Sequence, residues 1–178
     1  MNFYYNGTDI YNDVSVNYCV HEMFAEKQAD TLVIRFNDTK GIWSKWQPAA
    51  GDTVRFKEGA SDTGKMFVHS MKPENGLFTI RAMSMPKTAK IRKSKSWEGV
   101  RFLQLANEFA GNHGLAFKNY GCEDQVYPYI KQDNEGDFSL FSRLCMLEGC
   151  QMLIFDGSLL AYNEHYIEQQ EPAGGLPV

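Results

Sequence analysis

Leu77-Phe78-Thr79-Ile80-Arg81-Ala82-Met83 alternates apolar and polar residues, Pro86 ends the alternation, and Phe102, Leu105, Ala106 and Phe109 then recur at i, i+3, i+4 and i+7. Within residues 77–109 the hydrophobic period passes from that of a half-buried strand to that of one helical stripe. This change decides the fold class: α+β, with an antiparallel, barrel- or sandwich-like β part over 1–86 and a smaller α+β unit over 87–170.

Toward the N-terminus, Val14-Ser15-Val16-Asn17-Tyr18-Cys19-Val20, Thr31-Leu32-Val33-Ile34-Arg35-Phe36, Thr53-Val54-Arg55-Phe56-Lys57 and Met66-Phe67-Val68-His69 also read as short strands. An irregular stretch holding Trp43 and Trp46 and closed by Pro48 and Gly51-Asp52 lies among them, and a turn is predicted through Pro73-Glu74-Asn75-Gly76. Short strands at this spacing predict a small barrel or sandwich. Toward the C-terminus, Ser96 is the predicted N-cap of the first helix, and Gly111 or Gly114 stops it. A second helix is predicted from Asp133 or Asn134, with Glu135 and Asp137 favourable in its first turn. Phe138, Phe141, Leu144 and Cys145 make its buried face, and Gly149 caps it. Met152-Leu153-Ile154-Phe155, Asp156-Gly157 and Leu159-Leu160-Ala161-Tyr162 then signal a hairpin. The α+β unit is thus two helices and a hairpin, and the Pro- and Gly-containing residues 171–178 read as a linker or truncation point.

The 178 residues are 43% hydrophobic and 22% charged, the balance of a globular protein with a real core rather than a disordered tail. A net charge of −4 argues against bulk nucleic-acid binding. The charge is uneven: Arg81 to Arg101 holds seven basic residues and one acid, whereas Asn119 onward holds ten acids against Lys131 and Arg143. Such asymmetry suits electrostatic docking between subunits, or simply two differently solvated faces. Cys19, Cys122, Cys145 and Cys150 show no metal-ligand spacing, which predicts reduced thiols acting as small apolar residues in a cytosol-assembled protein. The N-terminus has no basic start or apolar run of a signal peptide, and no stretch predicts membrane insertion.

Asp133-Asn134-Glu135-Gly136-Asp137 opens like a calcium loop, but Leu144 stands where a bidentate Glu is needed, and an acidic helix start explains the run better. His21, His69, His113 and His165 are scattered singly, with His113 beside a helix end where a cation suits the dipole. Glu123-Asp124 with Asp137 could be imagined as the paired carboxylates of a glycosidase. No phosphate-cradling glycine loop follows a strand. No catalytic residue, metal or cofactor is therefore expected. Lys87, Lys90, Arg92, Lys93 and Lys95 form the densest basic cluster, with aromatics absent from it except Trp97 at its edge. They are the candidate subunit interface, facing an acidic neighbour.

Three passages carry a resemblance: Trp46-Gln47-Pro48-Ala49-Ala50-Gly51-Asp52-Thr53-Val54-Arg55-Phe56; Ser94-Lys95-Ser96-Trp97-Glu98-Gly99-Val100 with His113-Gly114-Leu115; and Gln132-Asp133-Asn134-Glu135-Gly136-Asp137-Phe138-Ser139-Leu140-Phe141-Ser142-Arg143-Leu144 with Glu148-Gly149-Cys150 and Asp156-Gly157. In order and spacing they resemble the baseplate hub family of contractile phage tails, known as phage late control protein D, and the hub part of type VI secretion spike proteins. The resemblance covers about Val14 to Tyr162. It implies a non-catalytic adaptor: a homotrimer whose paired barrels form a pseudo-hexameric ring, docked on the tail tube protein on one side and holding the central spike protein on the other, among other baseplate proteins. It also implies a place in the virion tail baseplate, assembled in the bacterial cytoplasm. Only one barrel-like half is visible here, so a full hub is expected to continue past Val178. Two other readings stand beside it: a tail-tip lytic enzyme acting on the cell wall, and a nucleic-acid-binding module using residues 87–95.

Overall fold

The computed structural model describes residues 1–24 and 29–170; the stretch 171–178, expected to be a linker or truncation point, lies outside them. The first eight strands are β1 (Asn2–Tyr5), β2 (Thr8–Asp9), β3 (Ser15–Glu22), β4 (Thr31–Asn37), β5 (Thr53–Glu58), β6 (Ser61–Asp62), β7 (Met66–Glu74) and β8 (Leu77–Met83). They form one antiparallel sheet in the order β2-β1-β5-β7-β8-β4-β3, with β6 on β5. Register shifts at Val16/Tyr18 and Val68/Ser70 bend it. The sheet curls so far that Phe3 of β1 and Phe36 of β4, with three strands between them, bring their rings to 5.2 Å. Inside lie Leu32, Ile34, Val54, Met66, Ile80 and their neighbours.

The stretch expected to be irregular around Trp43 is the short helix α1 (Ile42–Trp46). Asp38 Oδ1 accepts the Ile42 and Trp43 amides, satisfying donors that a helix start leaves open. Trp43 is thereby pushed into the mouth of the curled sheet, where it stacks on Phe78 at 5.2 Å and 5°. The turn expected through residues 73–76 is tighter: β7 runs through Pro73 to Glu74, and Asn75 and Gly76 alone reverse the chain with φ of 47° and 75°.

After a 3-10 turn at Lys87–Lys90 come β9 (Lys93–Arg101), α2 (Phe102–Asn112), β10 (Ala116–Tyr120), β11 (Val126–Glu135), α3 (Asp137–Leu147), β12 (Gln151–Phe155), β13 (Ser158–Tyr162) and α4 (Glu164–Glu168). Both predicted helical faces are buried, Phe102, Leu105, Ala106 and Phe109 on α2 and Phe138, Phe141, Leu144 and Cys145 on α3. Both predicted helix starts are corrected. Ser96 lies within β9, opposite Lys131, and the N-cap of α2 is Arg101; residues 133–135 end β11, and α3 begins at Asp137. Pairing with β11 claims Ser96, overriding local capping chemistry, and Asp133 and Asn134 form the register shift of the same pair between Gln132 and Glu135. The hairpin β12–β13 turns on Asp156 and Gly157 as expected, and β10 adds to it in parallel, making three strands where two were predicted. Phe102, Phe109, Phe141, Leu144 and Leu159 centre this second core, which also takes Phe67 from β7. Among the described residues every ladder joins strands within 2–83 or within 93–162.

Candidate functional site

The basic cluster sits where the two cores meet. Lys87 and Lys90 project from the 3-10 turn and Arg92 from the residues leading into β9; all three are exposed. Lys93 and Lys95 are engaged within the chain. Lys95 Nζ lies 2.6 Å from Glu108 and over the Trp97 ring, while Lys93 Nζ reaches Asp137 Oδ2 at 2.9 Å. So the five residues divide, three displayed and two braced.

The brace is a buried polar network. Asp137, 2% exposed, accepts from Lys93, from His113 Nε2 at 3.0 Å and from Asn112 at 3.3 Å on Oδ2, and from Gln132 at 2.9 Å on Oδ1. Burial alone would raise this carboxyl, but the hydrogen bonds from Gln132, Lys93 and Asn112 outweigh it and hold it below the ordinary carboxylate range. His113 was expected to be a cation at the helix end; burial instead lowers its pKa, against the pull of Asp137. Neutral His113 donates Nε2–H to the carboxylate, which leaves Nδ1 to accept the Thr88 hydroxyl at 2.9 Å. Thr88–His113–Asp137 has the connectivity of a nucleophilic relay. Lys93, however, neutralises the same carboxylate oxygen that would have to stabilise an imidazolium. The arrangement acts as a tie, fastening the 3-10 turn and β9 to the end of α2 and the start of α3. Single histidines and one aspartate gave no sign of this in the sequence, since five segments, β11 with Gln132 among them, have to meet to build it.

The imagined carboxylate pair does not form. Asp124 accepts the Leu103 amide at the start of α2, whereas Asp137 meets Asn112 at its end. At about 1.5 Å per residue these points lie about 14 Å apart along the axis, beyond the reach of either glycosidase arrangement. Among the described residues no group of three His, Cys, Asp or Glu is placed to hold a metal ion, and no helix is long and apolar enough to cross a membrane. Residues 133–137 are a strand end and a helix start, with the φ of Asn134 at 48°. The four cysteines are free thiols, and burial pushes Cys145 up to about 12.

The helices α2 and α3 are antiparallel, so the site has two ends. At one, Asp137 joins the end of α2 to the start of α3, beside the displayed lysines. At the other, Tyr127 donates to Glu148 just past α3, and the Cys150 thiol donates to the Glu148 carbonyl at 3.6 Å. Here Tyr166 of α4 packs against Gly121, Glu123 and Glu148 line one depression with Asn163 and His165, and α4 carries the exposed Glu164 and Glu168. The turn of β12–β13 meets the curled sheet separately: Asp156 accepts the Lys65 amide at 2.9 Å and lies 3.6 Å from Arg55. Finally, β3 ends the large sheet, and β9 and β11 pair only with each other, which leaves unpaired strand edges among the described residues.

No family model and no curated protein matches the sequence. Solved structures do match over most of the chain. A 43 kDa tail protein of a Shewanella oneidensis prophage is 15% identical, with a TM-score of 0.61 over 91% of this chain and 54% of its own. A tail protein from Neisseria meningitidis is 11% identical, with a TM-score of 0.63 over 90% and 49%. An Escherichia coli component of the type VI secretion system, described as structurally similar to bacteriophage T4 tail proteins, is 14% identical, with a TM-score of 0.64 over 92% and 49%. The fold is therefore that of phage tail and type VI secretion proteins, and the chain spans about half the length of these structures.

Proposed function

We propose that the chain is a structural, non-catalytic subunit of a contractile tail, in the hub of the baseplate, of the late control protein D type. The observation that carries this reading is the shared fold over about nine-tenths of the chain with tail proteins and a secretion-system component. In this reading residues 1–86 are a barrel-like unit facing the tail tube, and 87–170 are a smaller α+β unit set against it. The hub is a homotrimer that joins the tube to the central spike, among other baseplate proteins, and it assembles in the bacterial cytoplasm before residing in the virion tail. Unpaired strand edges and the displayed Lys87, Lys90 and Arg92 give it surfaces to share with neighbours. The neutralised Asp137 and the separated carboxylates favour an adaptor over a lytic enzyme.

The test has two parts. Light scattering of this chain, and of a version extended past Val178, is expected to give a trimer in at least one. Antibody labelling of purified particles is expected to mark the tail. A strict monomer in both versions together with unlabelled particles would overturn the proposal.

A further inference from the structure

The two ends of the α2/α3 pair carry opposite charge, and each has an apolar element of its own. At the basic end, a depression of about 540 Å³ is lined by Gly51, Phe67, Pro86, Lys87, Ile91 and His113. Ile91 on its rim is 56% exposed. Lys87 and Arg92 have no ion-pair partner among the described residues. At the acidic end, Leu147 is 70% exposed at the last position of α3, next to Glu148, and Ile167 is exposed on α4 between Glu164 and Glu168. Glu164 and Glu168 likewise have no ion-pair partner among the described residues.

Because the helices are antiparallel and packed, these ends face away from one another, and a single chain does not bring them together. Identical copies do, since each supplies both halves of a complementary contact. We propose that the basic end of one copy receives the acidic end of a second copy. Leu147 enters the depression beside Ile91, and Glu123, Glu164 and Glu168 face Lys87, Lys90 and Arg92. Such a contact is heterologous, joining different patches of the two chains, so it propagates head to tail and closes into a ring when its rotation allows. This inference rests on the reading of the chain as a subunit present in several copies, and it names which surfaces meet.

Sedimentation of the 178-residue chain tests it. Two variants are needed: one with Lys87→Glu, Lys90→Glu and Arg92→Glu, the other with Glu123→Lys, Glu164→Lys and Glu168→Lys. The wild type is expected to associate at about 0.05 M salt and to loosen at about 0.5 M, where charges are screened within a few ångströms. Each variant alone is expected to associate about a hundredfold more weakly, because like charges then face one another. An equimolar mixture of the two is expected to associate again, as is a chain carrying all six changes. That recovery separates a swapped contact from a misfolded variant. Variants that associate like the wild type would overturn the contact yet leave the tail-subunit reading standing, because particle labelling tests that reading separately. A wild type that stays monomeric up to about 1 mM at low salt would also overturn the contact.

Discussion

Removing the Asp137 carboxylate should loosen the α+β part of the chain more than any surface change. In Asp137→Ala, four donors lose an acceptor. They do not lose equally. Lys93 keeps a side chain 39% exposed and turns toward water at small cost. Gln132 is buried but still donates to the Glu135 carbonyl at 3.0 Å, so its loss is partial. His113, with a side chain 3% exposed, is left with a buried N–H and no acceptor. A stranded buried donor costs about 1–3 kcal/mol, and the sum over His113, Gln132 and Lys93 comes to about 3 kcal/mol. For a chain of this size that lowers Tm by about 6–12 °C. Thermal and urea unfolding followed by circular dichroism would read it. The sign with pH follows from the depressed carboxyl: its stabilisation is present above the ordinary carboxylate value of about 4 and is lost as pH falls through the lower folded value. The gap between wild type and variant should therefore narrow below about pH 4. A loss under about 1 kcal/mol at neutral pH would refute the argument that this network ties the segments together.

His113→Gln probes the same network from the other side. Burial keeps His113 neutral in the folded state, so its contribution is whole above the unfolded value of about 6.5 and falls as pH drops below it. Urea midpoints of the wild type should decline on going from pH 7.5 to 5.5, and those of the variant should decline less. Part of the slope should survive in His69, whose pKa burial also lowers; equal slopes in wild type and variant would count against the assignment. Gly121→Ala tests the seat of α4: the backbone there has φ of 77°, and a Cβ would stand 2.2 Å from the Tyr166 ring. A cost of about 1–2 kcal/mol from the left-handed backbone is expected. Faster amide exchange over residues 164–168 should accompany it, and unchanged exchange there would show that Tyr166 is not wedged as described.

Strands with an apolar side facing a core could be read directly: Thr31–Phe36, Thr53–Lys57 and Leu77–Met83 appear almost residue for residue, as does the Asp156-Gly157 hairpin. So do the buried faces of α2 and α3, because their stripes arise from local period alone. What escaped had its cause elsewhere in the chain. The strand β9 shows little alternation, because only Trp97 and Val100 turn toward the core, and its partner β11 lies beyond α2 and β10. Ser96 looked like a cap because Ser at such a place is a sound local signal; the ladder to Lys131 overrode it. Asn2–Tyr5 is short and holds Phe3 as its one fully buried residue, too little for a pattern. At the site, the lysines were visible as a cluster, but their division into a braced pair and a displayed trio depends on Glu108 and Asp137, which sequence distance conceals.

The division of the ladders at residues 84–92 bears on how the chain is made. Every strand of the curled sheet has left the ribosome once Met83 is delivered, and its tightest link, Asn75-Gly76, is a two-residue reversal. The β1–β5 and β4–β8 ladders join strands as far apart in sequence as the β9–β11 and β10–β13 ladders do, but every one of their partners precedes β9. Synthesis at about 5–20 residues per second gives the first sheet several seconds alone before Tyr162 appears. The nascent chain can thus offer a finished surface, the seat at Lys65 for the Asp156 turn, before the part that will dock on it has emerged.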